Sequence, residues 1–469
     1  LEQEGIDRIY PAQLRRQSAV AASTVEERRE KLHRLEKLIL ASRSRIAAAI
    51  AADYRKSPVE VDLSEIYPAL TEARHARKHL RKWMKPRRVA PTLTLIGTQS
   101  EILPEPKGIV LIISPWNFPF NLTIGPLVSA IAAGNCVMIK PSELTPNTSR
   151  CIRELLAELF DEDEVAVIEG GVEVAKTLLA MRFDHIFFTG SPAVGKIVMR
   201  AAAEHLTSVT LELGGKSPVI VGRSADLDDA ARKIAWGKFL NNGQVCIAPD
   251  YLLLHSSVRE QFLPKLTAAI DDLFGAEAGR ADNRDYGRIV NDQHFARVQG
   301  LIESAVSEGA APLLAHASDG SQRFIGPTIL TGVSPDSAVL REEIFGPVLP
   351  IVEFTGIDEA IGSIRDREKP LVLYLFSRDE KEIADVLART SAGGTCINDT
   401  LIHFFHPNLP FGGAGFSGLG RSHGYFGFEA FSNLRAVLRQ KTKFSMAKLL
   451  YPPYTGLRRR IVDLTVRFF

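Results

Sequence analysis

The chain has 469 residues, 45% of them hydrophobic and 24% charged, ordinary globular usage that excludes a disordered chain and at this length suggests two or three compact units. A formal net charge of +2 gives no reason to expect a nucleic-acid partner. The cysteines (Cys136, Cys151, Cys246 and Cys396) are scattered with no CxxC pair, which argues against a structural metal or a disulfide framework and for a reducing, cytoplasmic compartment.

The first residues, LEQEGIDRIYPAQLRR, contain no apolar h-region, so no signal peptide is expected. Residues 24–83 carry many charges, with apolar residues recurring every three or four positions. That pattern predicts charged surface helix, capped at Ser23 or Thr24 with Glu26 or Glu27 in the first turn. From Pro86 to Pro106, prolines and short alternating runs such as TLTLIG predict a hairpin or an excursion from the first domain. The nearest candidate for a membrane span, GIVLIISPWNFPF at 108–120, falls short of the roughly 18 apolar residues required. Its prolines make it a buried strand running into a turn that contains Asn117.

Strand and helix patterns then alternate. Strand 107–114 leads to the apolar, glycine-containing segment 123–134. Strand 136–140 precedes helix 147–160, strand 165–170 precedes helix 173–181, and strand 185–190 precedes helix 191–206. Short apolar strands separated by helices predict an α/β fold, a parallel sheet covered on both faces. A second region in the same style starts at 214–222. It continues with helix 226–240, a segment around Cys246, strand 251–256, a long helix from near Val258, and strand-like runs at 348–354 and 371–377. Residues 441–469 hold Lys441, Lys443, Lys448, Arg458, Arg459, Arg460 and Arg467 against one acid, Asp463. Such a tail either packs on its own protein or a twin subunit, or makes weak peripheral contact with an anionic membrane.

Several residues could carry chemistry. FFTGSPAVG puts Gly190 at the end of a strand and Gly195 inside the next helix, whose first turn offers N–H groups to a phosphate. It is not GxGxxG, so a tight packing turn is the alternative. Lys140 and Glu143 lie just beyond a strand's carboxyl end, where open parallel sheets place ligands. They can hold ribose hydroxyls or simply be solvated. Cys246 sits in NNGQVCIAPDY, whose glycine and asparagines are poor core residues, and Glu212 sits at a strand-to-loop junction in LELGGKSP. A cysteine and an acid spaced this way do not by themselves identify a reaction.

PWNFP at 115–119, KPSELTP at 140–146, FTGSPAVG, LELGGKSP, GQVCIAPD, EEIFGP at 342–347 and PFGGAGFSGLGRSHG at 410–424 together resemble the aldehyde dehydrogenase superfamily, in order and over nearly the whole chain. CIAPDY, EEIFGPVLPI, NDTLIHF and YPPY resemble its class 3-like branch, which holds fatty, aromatic and coniferyl aldehyde dehydrogenase-like enzymes. The resemblance implies a Rossmann-type NAD(P)-binding domain over 1–85 and 107–213 and an α/β catalytic domain over 214–410. It adds a small β bridging element for oligomerisation over 86–106 and 425–445, and a basic tail over 446–469.

It further implies oxidation of a medium- or long-chain aliphatic or aromatic aldehyde to the acid, through a hemithioacetal and a thioester on Cys246. Glu212 would be the general base and Asn117 the oxyanion donor, helped by the Cys246 N–H. Acyl-transferring relatives commonly lack this glutamate, so its presence favours free acid. The implied cofactor contacts are Pro115, Trp116, Ser142, Gly170, Gly195 and Leu213, together with Lys140 and Glu143 at the adenosine ribose. Gly190 and Ser191 would meet the pyrophosphate, and Glu343 and Phe345 the nicotinamide ribose. Glu143 would repel a 2′-phosphate, which favours NAD; NADP is also usable if the carboxylate swings aside.

Pro192 and Val245 depart from the usual residues at their positions, and Val245 bears on the aldehyde pocket. A homodimer is expected because the excursion and the C-terminal part resemble the family's bridging elements. An ordinary thiol, with a pKa near 8.5, keeps a thiolate fraction at neutral pH. A cysteine hydrolase is the alternative, with His403, His406 or His423 as partner; a nicotinamide requirement would separate the two.

Overall fold

The computed structural model describes residues 3–92, 95–275, 281–314, 318–440, 448 and 451–468. The chain opens with helices α1 (Gln3–Ala21), α2 (Val25–Ala41), α3 (Arg43–Tyr54) and α4 (Tyr67–Trp83). Thr24 and Glu27 form a capping box at the start of α2, each side chain bonded to the other residue's backbone N–H. No helix is predicted before residue 24, so α1 is a difference: its buried stripe of Ile6, Ile9 and Val20 is sparse and Pro11 lies inside it. The charged stretch that follows is helical as its pattern predicts, with Glu30, Arg34 and Lys37 of α2 exposed. Leu32, Leu35 and Ile39 of α2 are buried, and a short helix (Pro58–Val61) and a π-helical turn (Asp62–Ile66) join α3 to α4.

After strands β1 (Arg87–Val89) and β2 (Thr98–Pro106), the βα alternation begins. It runs β3 (Ile109–Ile113), α5 (Asn121–Ala133), β4 (Cys136–Lys140), α6 (Pro146–Ala157), β5 (Val165–Val167), α7 (Val172–Leu179), β6 (His185–Gly190), α8 (Pro192–Glu204) and β7 (Ser208–Leu213). These strands pair in parallel in the order β7-β6-β3-β4-β5. Val110, Ile112, Val137 and Ile139 join the core under α2, α4, α5 and α6, whereas Ile109, Leu111 and Met138 join the one under α1, α7 and α8. Side chains alternate across a strand, so a sheet buried on both faces needs continuous apolar runs. The chain steps outward from β3 to β5 and returns to β6 on the other side of β3. Their carboxyl ends therefore diverge at a topological switch point, where such sheets leave a crevice.

The second sheet is built from β8 (Pro218–Val221), β9 (Tyr251–His255), β10 (Ala311–Leu314), β11 (Thr328–Thr331), β12 (Val348–Phe354), β13 (Val372–Phe376) and β14 (Gly394–Ile397). Their order is β10-β11-β12-β9-β8-β13-β14, parallel except for edge strand β10. Helices α9 (Leu227–Phe239) and α10 (Arg259–Phe274) cover one face through Val219, Leu252 and Tyr374, and α11 (Asp292–Ser307) helps cover the other through Ile220, Leu253 and Leu373.

The chain then returns to the first sheet. Strand β15 (Gly418–Leu419) pairs antiparallel with β7, Gly418 opposite Glu212, and α12 (Gly424–Ala430) packs on α4 and α5. Strand β16 (Ser432–Gln440) pairs with β2 from Ser432–Pro106 to Gln440–Thr98 and completes a three-stranded sheet. Helix α13 (Gly456–Phe468) buries none of its residues. Lys441 and Lys443 lie outside the described residues. Among the described residues, no helix is long and apolar enough to cross a membrane. The fold is α/β, a Rossmann-type sheet beside a second α/β sheet, with a small β element.

Candidate active site

Cys246 owes its place to an unusual turn. Helix α9 ends at Phe239, and Asn241 (φ 50°), Asn242 (φ 55°) and Gly243 (φ 73°) all take left-handed backbone conformations, which asparagine and glycine tolerate best. A Cβ on Gly243 would lie 2.2 Å from the Gly346 carbonyl oxygen, so the close approach leaves no room for a side chain. The polar residues around it are buried because they satisfy the turn's backbone. Asn241 Nδ2 donates to the carbonyls of Asn117 (2.9 Å) and Gln244 (3.1 Å), and Gln244 Nε2 donates to those of Asn241 and Arg288.

Asn117 follows the carboxyl end of β3. Its Nδ2 donates to the Gln244 carbonyl at 3.1 Å, which orients the amide and leaves its second N–H. Glu212, next to last in β7, is 5% exposed. Its Oε1 accepts from Ser422 Oγ at 2.9 Å, while Oε2 is buried without a partner.

Cys246, Glu212 and Asn117 line one cavity, and Pro115, Trp116, Gly190, Ser191, Leu213, Glu343 and Phe345 line it with them. Cys246 and Glu212 also face a second cavity, whose walls include Leu122, Pro126, Leu371, Phe404, Phe405 and Phe411. The two residues therefore stand in the wall between a cleft that holds Ser191, His294, Arg297 and Glu343 and a cavity walled largely by apolar side chains.

The polar cleft fits a dinucleotide. Glu343 Oε1 is buried there without a partner, and a Cβ on Gly214 would lie 2.2 Å from its Oε2. Ser191 caps α8 at the edge of the cleft, accepting from the Val194 N–H at 3.4 Å, so the N-terminal end of that helix faces it. An orphaned carboxylate oxygen suits a ribose hydroxyl, and a helix N-terminus suits a phosphate. Arg297 donates to the carbonyls of Glu343 and Ile344, and Asp250 Oδ1 accepts from the Ile344 N–H at 3.1 Å, which fixes the strip. The Phe345 ring meets Trp116 edge-on at 5.2 Å. Lys140, Ser142, Glu143 and Gly170 do not line this cleft. They lie at or beyond the carboxyl ends of the neighbouring β4 and β5, with Lys140 ion-paired to Glu143 and Ser142 Oγ accepting from the Leu144 N–H. Gly195 is buried in α8 against Leu213.

Burial pushes the Cys246 thiol up to about 12, with Glu343 and Glu212 adding to the rise and the backbone N–H groups of Cys246 and Ile247 opposing it. That rise opposes the thiolate fraction expected of an ordinary cysteine. Burial also raises Glu212 to about 8 against the pull of Ser422 and Arg421, and Glu343 to about 8 with Asp250 adding to it. His403 and His423 are pushed down to about 4 by burial. His423 stacks on Phe411 at 5.0 Å, with Glu72 3.9 Å from its Nδ1. Ser422, Gln244 and Arg297 are absent from the sequence reading. Ser422 lies within a recognised glycine-rich run, but nothing local marks it, because its partner is 210 positions away.

The pattern of the aldehyde dehydrogenase family matches residues 1–437. A 4,4'-diaponeurosporen-aldehyde dehydrogenase of Staphylococcus aureus is 46% identical over 429 residues, 92% of each chain. Aldehyde dehydrogenase family 3 member A2 of Mus musculus is 46% identical over 427 residues, 91% of this chain and 87% of that one. Among solved structures, the substrate-bound state of Staphylococcus aureus AldH superposes with a TM-score of 0.93 at 43% identity, covering 98% of this chain and 99% of that one.

Proposed function

We infer that this chain, which belongs to the aldehyde dehydrogenase family and its class 3-like branch and is an NAD(P)-dependent aldehyde dehydrogenase, works through a thioester on Cys246. The observation that carries this reading is the shared wall: Cys246 and Glu212 reach both the polar cleft and the apolar cavity. Cys246 Sγ attacks the aldehyde carbonyl, and its proton passes to solvent. The resulting oxyanion meets the Asn117 amide and the Cys246 N–H, where loss of one donor typically costs about 3 kcal/mol. The chemistry a bound nicotinamide supplies is acceptance of the hydride from that hemithioacetal carbon, which leaves an acyl thioester. Glu343, Ser191 and the first turn of α8 hold the dinucleotide. Glu212 then takes a proton from water, whose oxygen displaces the sulfur and releases the acid.

The apolar cavity supports a medium- or long-chain aliphatic or aromatic aldehyde. Its described lining includes Glu72 and Glu212 but no lysine or arginine, which disfavours the carboxylate of a semialdehyde. The likeness to an enzyme named for 4,4'-diaponeurosporen-aldehyde points the same way. The test is reduced-nicotinamide formation over a panel of aliphatic, aromatic and semialdehyde substrates. Cys246→Ala should abolish it with all of them. Glu212→Gln should keep the first turnover and lose the steady state by about 10²- to 10³-fold. Wild-type turnover in either variant would remove that residue from the mechanism, and a response only to semialdehydes would overturn the substrate class.

For the cofactor, we assign Lys140 and Glu143 to the adenosine ribose, with NAD preferred. Glu143→Gln should raise kcat/KM for NADP relative to NAD by about tenfold; an unchanged ratio would remove Glu143 from cofactor choice.

A further inference from the structure

The peptide around Asn117 is gripped by residues that take no part in the reaction above. The π-helical turn Asp62–Ile66 widens the backbone between two helices and turns Ser64, Glu65 and Ile66 inward. Turns of this kind recur at functional sites. Glu65 is 0% exposed and Lys56 1% exposed, and the two form an ion pair at 3.0 Å. Glu65 Oε2 accepts the backbone N–H groups of Phe120 (3.1 Å) and Asn121 (2.9 Å), where α5 begins. Lys56 Nζ donates to the Asn117 carbonyl at 3.4 Å and sits 4.2 Å from the centre of the Phe118 ring. The Tyr54 hydroxyl donates to the same carbonyl at 2.9 Å, with Glu65 Oε1 3.5 Å from its oxygen. One buried pair thus holds both ends of the Asn117–Asn121 peptide.

Stability does not explain such a pair. Two charges taken out of water rarely recover their desolvation cost, and an apolar packing of the same volume is commonly as stable or more so. What the pair provides is fixed geometry at its hydrogen-bonded partners, and those partners are the backbone that carries the Asn117 amide.

We propose that Lys56 and Glu65, with Tyr54, are positioning residues for the oxyanion hole: they set the height and orientation of the Asn117 amide that receives the developing alkoxide. This rests on the role given to Asn117 above. The buried charges act before catalysis, in the free enzyme, by holding a donor where charge will appear, which is the arrangement that makes such donors effective. A misplacement of an ångström in such a site costs on the order of a hundredfold.

The experiment is the pre-steady-state burst of reduced nicotinamide in the full-length enzyme, with aldehyde KM and thermal melting measured alongside. The variants are Asn117→Ala, Glu65→Gln, Tyr54→Phe and the doubles Glu65→Gln/Asn117→Ala and Tyr54→Phe/Asn117→Ala. Asn117→Ala should slow the burst by about 10²- to 10³-fold. Glu65→Gln should slow it roughly ten- to a hundredfold, and the milder Tyr54→Phe about threefold to tenfold, with KM unchanged within about twofold. Each double should be no slower than Asn117→Ala alone, because residues acting through one group do not add. Tyr54→Phe carries the test if Glu65→Gln fails to fold. A wild-type burst in the Glu65 and Tyr54 variants, or losses that multiply in the doubles, overturns the proposal while the role of Asn117 stands. A wild-type burst in Asn117→Ala overturns that role and the positioning role with it.

Discussion

The Glu212 carboxyl has one hydrogen bond, from Ser422, and one oxygen without any. Burial holds its pKa at about 8, and a general base works as the carboxylate. Thioester hydrolysis should therefore rise with pH and level off above about 8. The Ser422 hydrogen bond lowers the Glu212 pKa, so Ser422→Ala should move that rise to higher pH and slow hydrolysis at neutral pH. A single-turnover pH profile reads the shift directly, and an unmoved profile would show that Ser422 does not tune the base. This scale also separates what the chain discloses from what it hides. Cys246, Glu212 and Asn117 are visible because each sits in a short run of distinctive neighbours. The protonation of Cys246 is hidden, because it depends on burial and on Glu343 and Glu212, which the sequence places 97 and 34 positions away.

Among the elements, the turn between α9 and Cys246 depends most on single positions. Gly243→Ala would force a Cβ toward the Gly346 carbonyl in a left-handed backbone. It should cost about 2–4 kcal/mol and displace the nucleophile, seen as a lower Tm together with lost activity; an unchanged Tm would mean that the turn relaxes freely. Strands such as Cys136–Lys140 and His185–Gly190 were legible because both faces are buried, which demands unbroken apolar runs. Helix α2 was legible through its Thr24–Glu27 cap. The π-helical turn was not, since nothing in the residues of Asp62–Ile66 marks the widened backbone that sets it apart from ordinary helix. Nor was α1, whose apolar stripe is thin.

At the scale of the molecule, the three-stranded sheet leaves Leu434 (41% exposed) and Leu438 (52% exposed) on outermost strand β16, and β14 ends the seven-stranded sheet with Ile397 exposed. We propose that these edge strands meet a second copy of the chain in a homodimer. The double variant Leu434→Asp/Leu438→Asp should shift the mass found by light scattering from dimer to monomer, and an unshifted dimer would move the interface elsewhere. The order of βα units along the chain indicated two sheets. It gave no sign that Gly418–Leu419, after the last strand of the second sheet, would come back to pair with β7. Such pairing depends on contacts between distant segments, which periodicity does not record.

That late return has a consequence for the enzyme's life before it is whole. The strand neighbour of Glu212 is Gly418 and its hydrogen-bond donor is Ser422, so a chain emerging from the ribosome holds the reactive cysteine long before it holds a seated base. A half-made or C-terminally clipped molecule would keep Cys246 without the means to release what binds to it. The working site is thus complete only once residue 422 has been made and has folded back.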